Sequence, residues 1–329
     1  MKIAIVILNW NGKELLEQFL PSIIKHSKQA TIYVADNAST DHSVLLVKQH
    51  FPEAKIIQNT INGGYAKGYN QALKQVEEDI YCLLNSDVEV SENWLNPIFE
   101  VFNNNLETAI IQPKILDYKN KTSFEYAGAA GGFIDKYGYP FCRGRIFNSI
   151  EKDLGQYNDI TNIFWASGAC FFVRKSVFET LNGFDESFFA HMEEIDFCWR
   201  AFNQGFKTTY VGTSTVYHVG GATLHTTNPK KTYLNFRNSL YTLIKNAGGN
   251  LFFLVIIRLI LDGFAAIKFL FDFKWLHILA ILKAHISFYS HLPTLLKQRK
   301  ELDQRNDYYK KTSIVWAYFV NNCKNFNCL

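Results

Sequence analysis

Three carboxylates fall within four residues at Glu193, Glu194 and Asp196, inside the run His191-Met192-Glu193-Glu194-Ile195-Asp196-Phe197-Cys198-Trp199-Arg200. Acidic groups set among aromatics are costly to bury without a role, and one left unpaired can serve as a general base. Acidic residues also suit a helix N-terminus, and Asp196 can pair with Arg200 one turn on. The expectation is therefore Glu194 as the base, Glu193 beside it as the less secure choice, and Asp196 and Arg200 partly structural. A further carboxylate, Asp87, follows an apolar strand that runs into Asn85-Ser86-Asp87. That position suits a hard cation, Mg²⁺ or Mn²⁺, bridging two phosphates. His218, ending a short strand at Thr215–Tyr217, is expected as its second ligand.

Other polar clusters sit where strands should end. Asn9-Trp10-Asn11-Gly12 and Asp36-Asn37-Ala38-Ser39-Thr40-Asp41 follow the first two strands. A carboxylate such as Asp36 can accept hydrogen bonds from a ribose or a pyrimidine imide, whereas Asp41 or Ser39 can equally cap the next helix. Asn62-Gly63-Gly64-Tyr65-Ala66-Lys67-Gly68-Tyr69-Asn70 is a glycine-rich turn leading into a helix, where backbone N–H groups can approach an anion. It does not match the G-x-G-x-x-G of a dinucleotide-binding domain. The expected ligand-binding set is Asn9, Asp36, Asn37, Asn62, Gly63, Lys67, Asn70, Asn85 and Ser86, with Trp165 and Arg200 expected to contact a second substrate.

Short β-branched runs at Ile3–Leu8, Thr31–Ala35, Lys55–Gln58 and Ile80–Leu84 alternate with helical stretches, the pattern of βαβ units. Such a sheet brings the clusters together at the carboxyl ends of its strands. Leu15, Leu16, Phe19, Leu20, Ile23 and Ile24 recur at helical spacing and read as core. From about 117 to 164 the pattern is irregular, and an apolar run at Trp165–Val173 precedes a helix beginning near Glu193.

The tail differs. Leu251–Phe271 and Trp275–Phe288 are apolar but interrupted by Arg258, Asp262, Lys268, His277, Lys283 and His285. Charges are costly inside a bilayer, so these segments read as amphipathic helices lying in the membrane interface, or as a helical cap on the domain. With 48% hydrophobic residues and a net charge of +4, the chain of 329 residues is a folded protein without the basic stripe of a nucleic-acid binder. Six scattered cysteines without C-x-x-C suggest reduced thiols, and the chain opens directly into a strand with no charged leader. A cytoplasmic protein, peripheral on the inner face of the cell membrane, is expected.

In these motifs the sequence resembles family 2 glycosyltransferases, in particular the bacterial rhamnosyltransferase-like branch, over about residues 3–240. N-W-N-G at Asn9–Gly12, D-N-x-S-x-D at Asp36–Asp41, the Asn62–Asn70 turn, Asn85-Ser86-Asp87 for a D-x-D-like motif and Glu193–Arg200 for E-D-x-D-L-x-x-R carry the likeness. The second acidic position of that last motif, an Asp in the family, is Glu194 here. The resemblance implies a GT-A fold, an α/β Rossmann-like and mostly parallel sheet flanked by helices, with Asp36–Asp41 at the nucleotide, Asp87 and His218 at the metal and Glu194 as base. It implies a catalytic domain over 1–228, with a donor half 1–116 and an acceptor half 117–228, before a helical membrane-associating region, 229–329. The implied partners are a nucleotide-sugar donor and a glycan or lipid-linked acceptor. No Q-x-x-R-W follows, so addition of a single sugar is expected, with dTDP-rhamnose or a UDP-hexose as donor. The alternatives are a catalytically silent sugar-nucleotide scaffold and a sugar nucleotidyltransferase. The latter would want an Arg near Asn9–Gly12 to grip a triphosphate.

Overall fold

The computed structural model describes residues 1–220 and 228–329. The first part alternates strand and helix: β1 (Ile3–Asn9), α1 (Lys13–His26), β2 (Ala30–Asp36), α2 (Ser43–His50), β3 (Lys55–Gln58), α3 (Gly64–Ala72) and β4 (Ile80–Asn85). Then come β5 (Val88–Val90), α4 (Asn96–Asn104) and the long β6 (Thr108–Asp117). Short strands β7 (Gly132–Ile134), β8 (Pro140–Cys142), β9 (Arg145–Ile146), β10 (Ser149–Ile150) and β11 (Ile160–Ile163) occupy the irregular stretch. The chain continues through β12 (Cys170–Arg174), α5 (Lys175–Thr180), α6 (Glu193–Asn203) and β13 (Lys207–His218). It ends in α7 (Pro229–Asn246), α8 (Leu251–Phe271), α9 (Trp275–Lys300) and α10 (Ile314–Phe319).

The main sheet runs β11-β13-β6-β12-β4-β1-β2-β3, with β5 on β13. Strands β3, β2, β1 and β4 are parallel, and Ile3–Ile7 and Ile80–Leu84 are buried without a break, as strands covered by helices on both faces must be. The apolar spacing of α1 buries Leu16, Phe19, Leu20 and Ile23 against this half. Beyond β4 the pairing turns mixed, because β12 runs antiparallel between β4 and β6 while β13 is parallel to β6. The architecture is α/β as expected, with the parallel order confined to one half and the long β6–β13 pair.

Register places the polar strand ends together. Asn9 lies opposite Asp36, and Leu8 opposite Asn85. The antiparallel β12 brings Ala169 to the same edge, where its carbonyl accepts the Asn85 N–H at 2.9 Å. His218 pairs with Val88, one residue past Asp87.

A second sheet, β10-β9-β8-β7, lies over this edge. Gly132 bridges Trp165, exchanging backbone hydrogen bonds of 3.1 and 3.2 Å. A Cβ at Gly132 would lie 2.1 Å from the Trp165 ring, so only glycine permits this contact.

Of the groups that interrupt the apolar tail, Arg258, Asp262 and His285 point inward, while Lys268 and Lys283 are exposed. Arg258 Nε donates to Asp262 Oδ1 at 2.8 Å, the Tyr139 hydroxyl donates to the same oxygen at 2.7 Å, and His285 Nε2 is 3.2 Å from Asp262 Oδ2. Buried and mutually paired, they fasten α8 and α9 to the turn between β7 and β8. No helix among the described residues is long and apolar enough to cross a membrane. Cys82, Cys142, Cys170 and Cys198 are buried thiols, as expected, but Cys323 and Cys328 are joined in a disulfide. The turn after α10 brings their Cα atoms to 5.7 Å, within bonding range.

Replacing Gly132 by Ala should lower unfolding free energy by about 1–3 kcal/mol through the clash with Trp165, read as a shifted denaturant midpoint at unchanged slope.

Candidate active site

At the ends of β1 and β2 the expected donor residues are bound mostly to one another. Asn9 Nδ2 donates to Asp36 Oδ1 and Ser39 Oγ, both at 3.2 Å, and the Ser39 N–H donates to Asp36 Oδ2 at 3.0 Å. Asn9 Oδ1 is buried without a hydrogen-bond partner among the described residues. Asn37 donates to Asn62 Oδ1 at 3.0 Å and to the Gly64 carbonyl at 3.1 Å. Asp41 accepts the Lys13 N–H at 2.8 Å and also holds Ser43, the capping alternative. The glycine turn differs from the anion cradle expected of it. The Gly64 N–H is taken by Asn62 and the Tyr65 N–H by the Phe189 carbonyl, and Gly64, at φ +74°, lets that carbonyl come close. Gly63 likewise leaves room for the Lys67 side chain, since a Cβ there would lie 2.7 Å from its Cβ. Lys67 has no ion-pair partner among the described residues, and Ser86 is half-buried beside Asp87.

Asp87 and His218 meet, with Asp87 Oδ1 3.2 Å from His218 Nε2. On the other side of the ring, Nδ1 faces Glu125 Oε2 at 3.4 Å, too long for a good hydrogen bond. Burial alone would lower the imidazole's pKa, but the two carboxylates outweigh it and raise it to about 10. Glu125 carried no motif and lies in the irregular stretch; Gly220, far along the chain and at φ +68°, makes room for it, since a Cβ there would meet Glu125 Oε1 at 2.8 Å. Two ligand atoms about 3 Å apart fit adjacent positions on a cation with bonds of ~2.1 Å. To take a cation beside Asp87, His218 must give up its Nε2 proton, with Glu125 lying behind its Nδ1. The pair fits a divalent cation, although no three His, Cys, Asp or Glu among the described residues converge on one point.

The head of α6 is the least satisfied part of the molecule. Two successive residues, His191 and Met192, take left-handed conformations (φ +68° and +73°), an uncommon strain for side chains of this size. Asn238 holds that turn by donating to the carbonyls of Ala190 and His191 at 2.9 and 2.7 Å. His191 Nε2, Glu193 Oε2 and Glu194 Oε2 are buried with no hydrogen-bond partner among the described residues. Burial, then the Glu194 charge, pushes Glu193 well above the usual carboxylate range. Burial likewise lifts Glu194 to about 7, although backbone N–H groups of the first turn oppose it. His191 is lowered to about 4 by burial and by Lys231.

Four expected site residues are otherwise engaged. Asp196, wholly buried, is held by Arg200 at 2.9 Å, Lys245 at 2.9 Å and Asn246 at 2.8 Å. Arg200 also donates to the Leu181 and Gly183 carbonyls at 2.6 and 2.8 Å, and its buried guanidinium is turned into the fold rather than toward an acceptor. Trp165 is 2% exposed, its Nε1 donating to the Phe133 carbonyl at 2.8 Å, which takes it off any acceptor surface. Asn70 is consumed by Phe184, through both its N–H and carbonyl, and by Glu186. A shallow depression lined by Met1, Asp79 and Arg174 lies at the opposite edge of the sheet and touches none of these groups.

The sequence model named Glycosyl transferase family 2 matches residues 4–181, over half of the chain. The chain belongs to this family. Among relatives of this glycosyltransferase, the N-acetylglucosaminyl-diphospho-decaprenol L-rhamnosyltransferase of Mycobacterium tuberculosis is 26% identical over 66% of this chain and 75% of its own. Rhamnosyltransferase WbbL of Escherichia coli is 22% identical over 64% of this chain and 80% of its own. These relatives place it in the rhamnosyltransferase-like branch. Among solved structures, GalNAc-T7 with UDP, GalNAc and Mn²⁺ superposes with a TM-score of 0.57 at 16% identity, over 74% of this chain and 48% of that one. The mannosyltransferase PcManGT of Pyrobaculum calidifontis, with GDP-Man and Mn²⁺, gives 0.54 at 14% identity, over 89% of this chain and 75% of that one. The shared fold is GT-A, as the motifs implied.

The two kinds of carboxylate in this family 2 enzyme should separate on mutation. Asp196→Leu strands Arg200 and Lys245 and should cost about 3–5 kcal/mol of stability in chemical denaturation, whereas Glu194→Gln should leave the denaturation midpoint almost unmoved.

Proposed function

We propose that the chain is an inverting, non-processive glycosyltransferase. It moves one sugar from a nucleoside-diphosphate sugar, dTDP-rhamnose or a UDP-hexose, to a glycan or lipid-linked acceptor in cell-surface polysaccharide synthesis. In this reading residues 1–228 are the catalytic domain, with donor half 1–116 and acceptor half 117–228. Residues 229–329 make peripheral contact with the inner face of the cell membrane. The lipid-linked acceptor in the name of the M. tuberculosis relative supports the choice of acceptor.

The observation that carries the reading is Glu194, a carboxylate raised to about 7, with one oxygen unpartnered at the head of α6. A group poised near neutrality both accepts a proton and is ionised enough to do so. Glu194 takes the proton of the acceptor hydroxyl as that oxygen bonds to C1 of the sugar. The C1–O bond to the diphosphate breaks, and its electron pair leaves on the diphosphate. Mg²⁺ or Mn²⁺ held by Asp87 and His218 would supply neutralisation of the leaving diphosphate. Lys67 and Ser86 are left to contact the donor, and Asp36, with Asn9 and Ser39 fixing it, to take the nucleoside beside Asn37. Glu193, buried beside Glu194, holds its charge back.

Incubation of the purified chain with dTDP- and UDP-sugars, with and without each cation, should release a single nucleoside diphosphate in a cation-dependent way. Failure to bind any nucleotide sugar would overturn the assignment. Glu194→Gln should lower kcat by about 10²–10⁴ while donor affinity stays within about twofold. Because only the ionised base works, kcat/KM of the wild type should rise with pH through about 7 and level off above it.

A further inference from the structure

Helix α8 is turned inside out. Its buried positions are Leu254, Arg258 and Asp262, one turn apart. The opposite face, Phe253, Ile256, Ile260, Phe264 and Ile267, is 38–61% exposed. Helix α9 repeats the pattern: Ala280, Ile281, Ala284 and Phe288 are buried, while Leu279, Leu282, Ile286 and Tyr289 are 51–69% exposed. The turn joining the helices adds Phe271, Phe273 and Trp275 at 57–81%. Scattered exposed apolar side chains are ordinary, but rows recurring every three or four residues along two packed helices mark a face that meets another apolar phase.

Charge decides which phase. Residues 251–300 hold seven Lys or Arg against two Asp, a larger surplus than the +4 of the whole chain. Asp262 is spent internally on Arg258, and Asp272 is shared by Lys268 at 3.1 Å and Lys274 at 3.9 Å. Lys283, Lys297 and Lys300 remain exposed. A second copy would set one basic row against another, whereas an anionic bilayer receives both the apolar rows and the lysines. Trp275 and Tyr289 are side chains that favour the boundary between headgroups and acyl chains.

We propose that α8 and α9 dock the protein on an anionic lipid bilayer, lying along its surface with their outer apolar rows at the base of the headgroups and their lysines among the phosphates. The Arg258–Asp262–His285–Tyr139 cluster transmits this anchorage to the turn between β7 and β8, holding the catalytic part against the lipid surface. This names the lipid surface for the membrane contact proposed above and rests on that reading, but not on donor or chemistry.

The test is co-sedimentation of the purified full chain, without donor, with vesicles of phosphatidylcholine alone or mixed with phosphatidylglycerol. Wild type should bind the mixed vesicles at least about tenfold more tightly than the neutral ones and lose that preference in high salt. Ile260→Ser combined with Phe264→Ser should cut binding by about tenfold or more at unchanged melting temperature. Lys297→Gln with Lys300→Gln should weaken only the binding to mixed vesicles. Wild type left in the supernatant, or binding indifferent to Ile260→Ser and Phe264→Ser, would overturn the proposal. So would a dimer that these two substitutions dissociate and that ignores vesicles. Loss of donor binding would sink the transferase reading and leave these outcomes untouched.

Discussion

The burial of one carboxylate, Asp196, organises the head of α6 and the elements packed around it. A charge with no exposure is tolerated only when cations and hydrogen-bond donors surround it, and here Arg200, Lys245 and Asn246 do so. Arg200 extends the contact to the carbonyls of Leu181 and Gly183, and Lys245 extends it to Asp185, whose acidity it strengthens to about 2 against the effect of burial. One anion thus locks α6, α7 and the loop ahead of α6 into a single unit. That lock fixes the strained His191–Met192 turn, and the turn fixes Glu193 and Glu194.

The same helix therefore carries carboxylates of opposite kinds. Asp196 has cations on both sides, whereas no ion pair to either glutamate forms among the described residues, so burial outweighs the backbone N–H groups and raises both. Environment, not residue type, separates the structural acid from the basic one. At the other end of the site His218 plays the compensating part between Asp87 and Glu125, and each of these three side chains is at most 8% exposed. A dry site of this kind strengthens every charge interaction placed within it.

Much of this was legible in the residues. Alternation and apolar runs located β1 to β4 within a residue at either end, because strands buried on both faces need unbroken apolar sequence. Strand-end motifs drew Asp36, Asp87 and His218 to one edge, and the acidic run drew attention to α6. What the sequence could not carry was which polar groups already had partners. Asn70, Trp165 and Arg200 looked available, yet each is engaged by backbone atoms more than ten residues away in the chain. Glu125 escaped for the converse reason: its meaning comes from β13, far along the chain, and nothing near it forms a pattern. The interrupting charges of the tail spoke against a spanning helix, and no described helix spans, but the pairing of Arg258 and Asp262 with Tyr139 and His285 could not be read from it.

The account stands on Glu194 being a carboxylate held near neutrality by burial in the folded protein. Titration of its side-chain carboxyl by ¹³C NMR, assigned as the resonance missing from Glu194→Gln, measures this without substrate. The account predicts a midpoint near 7, well above the ordinary glutamate value of about 4.3. A midpoint at that ordinary value would contradict it, leaving Glu194 an exposed acid and the head of α6 without its base.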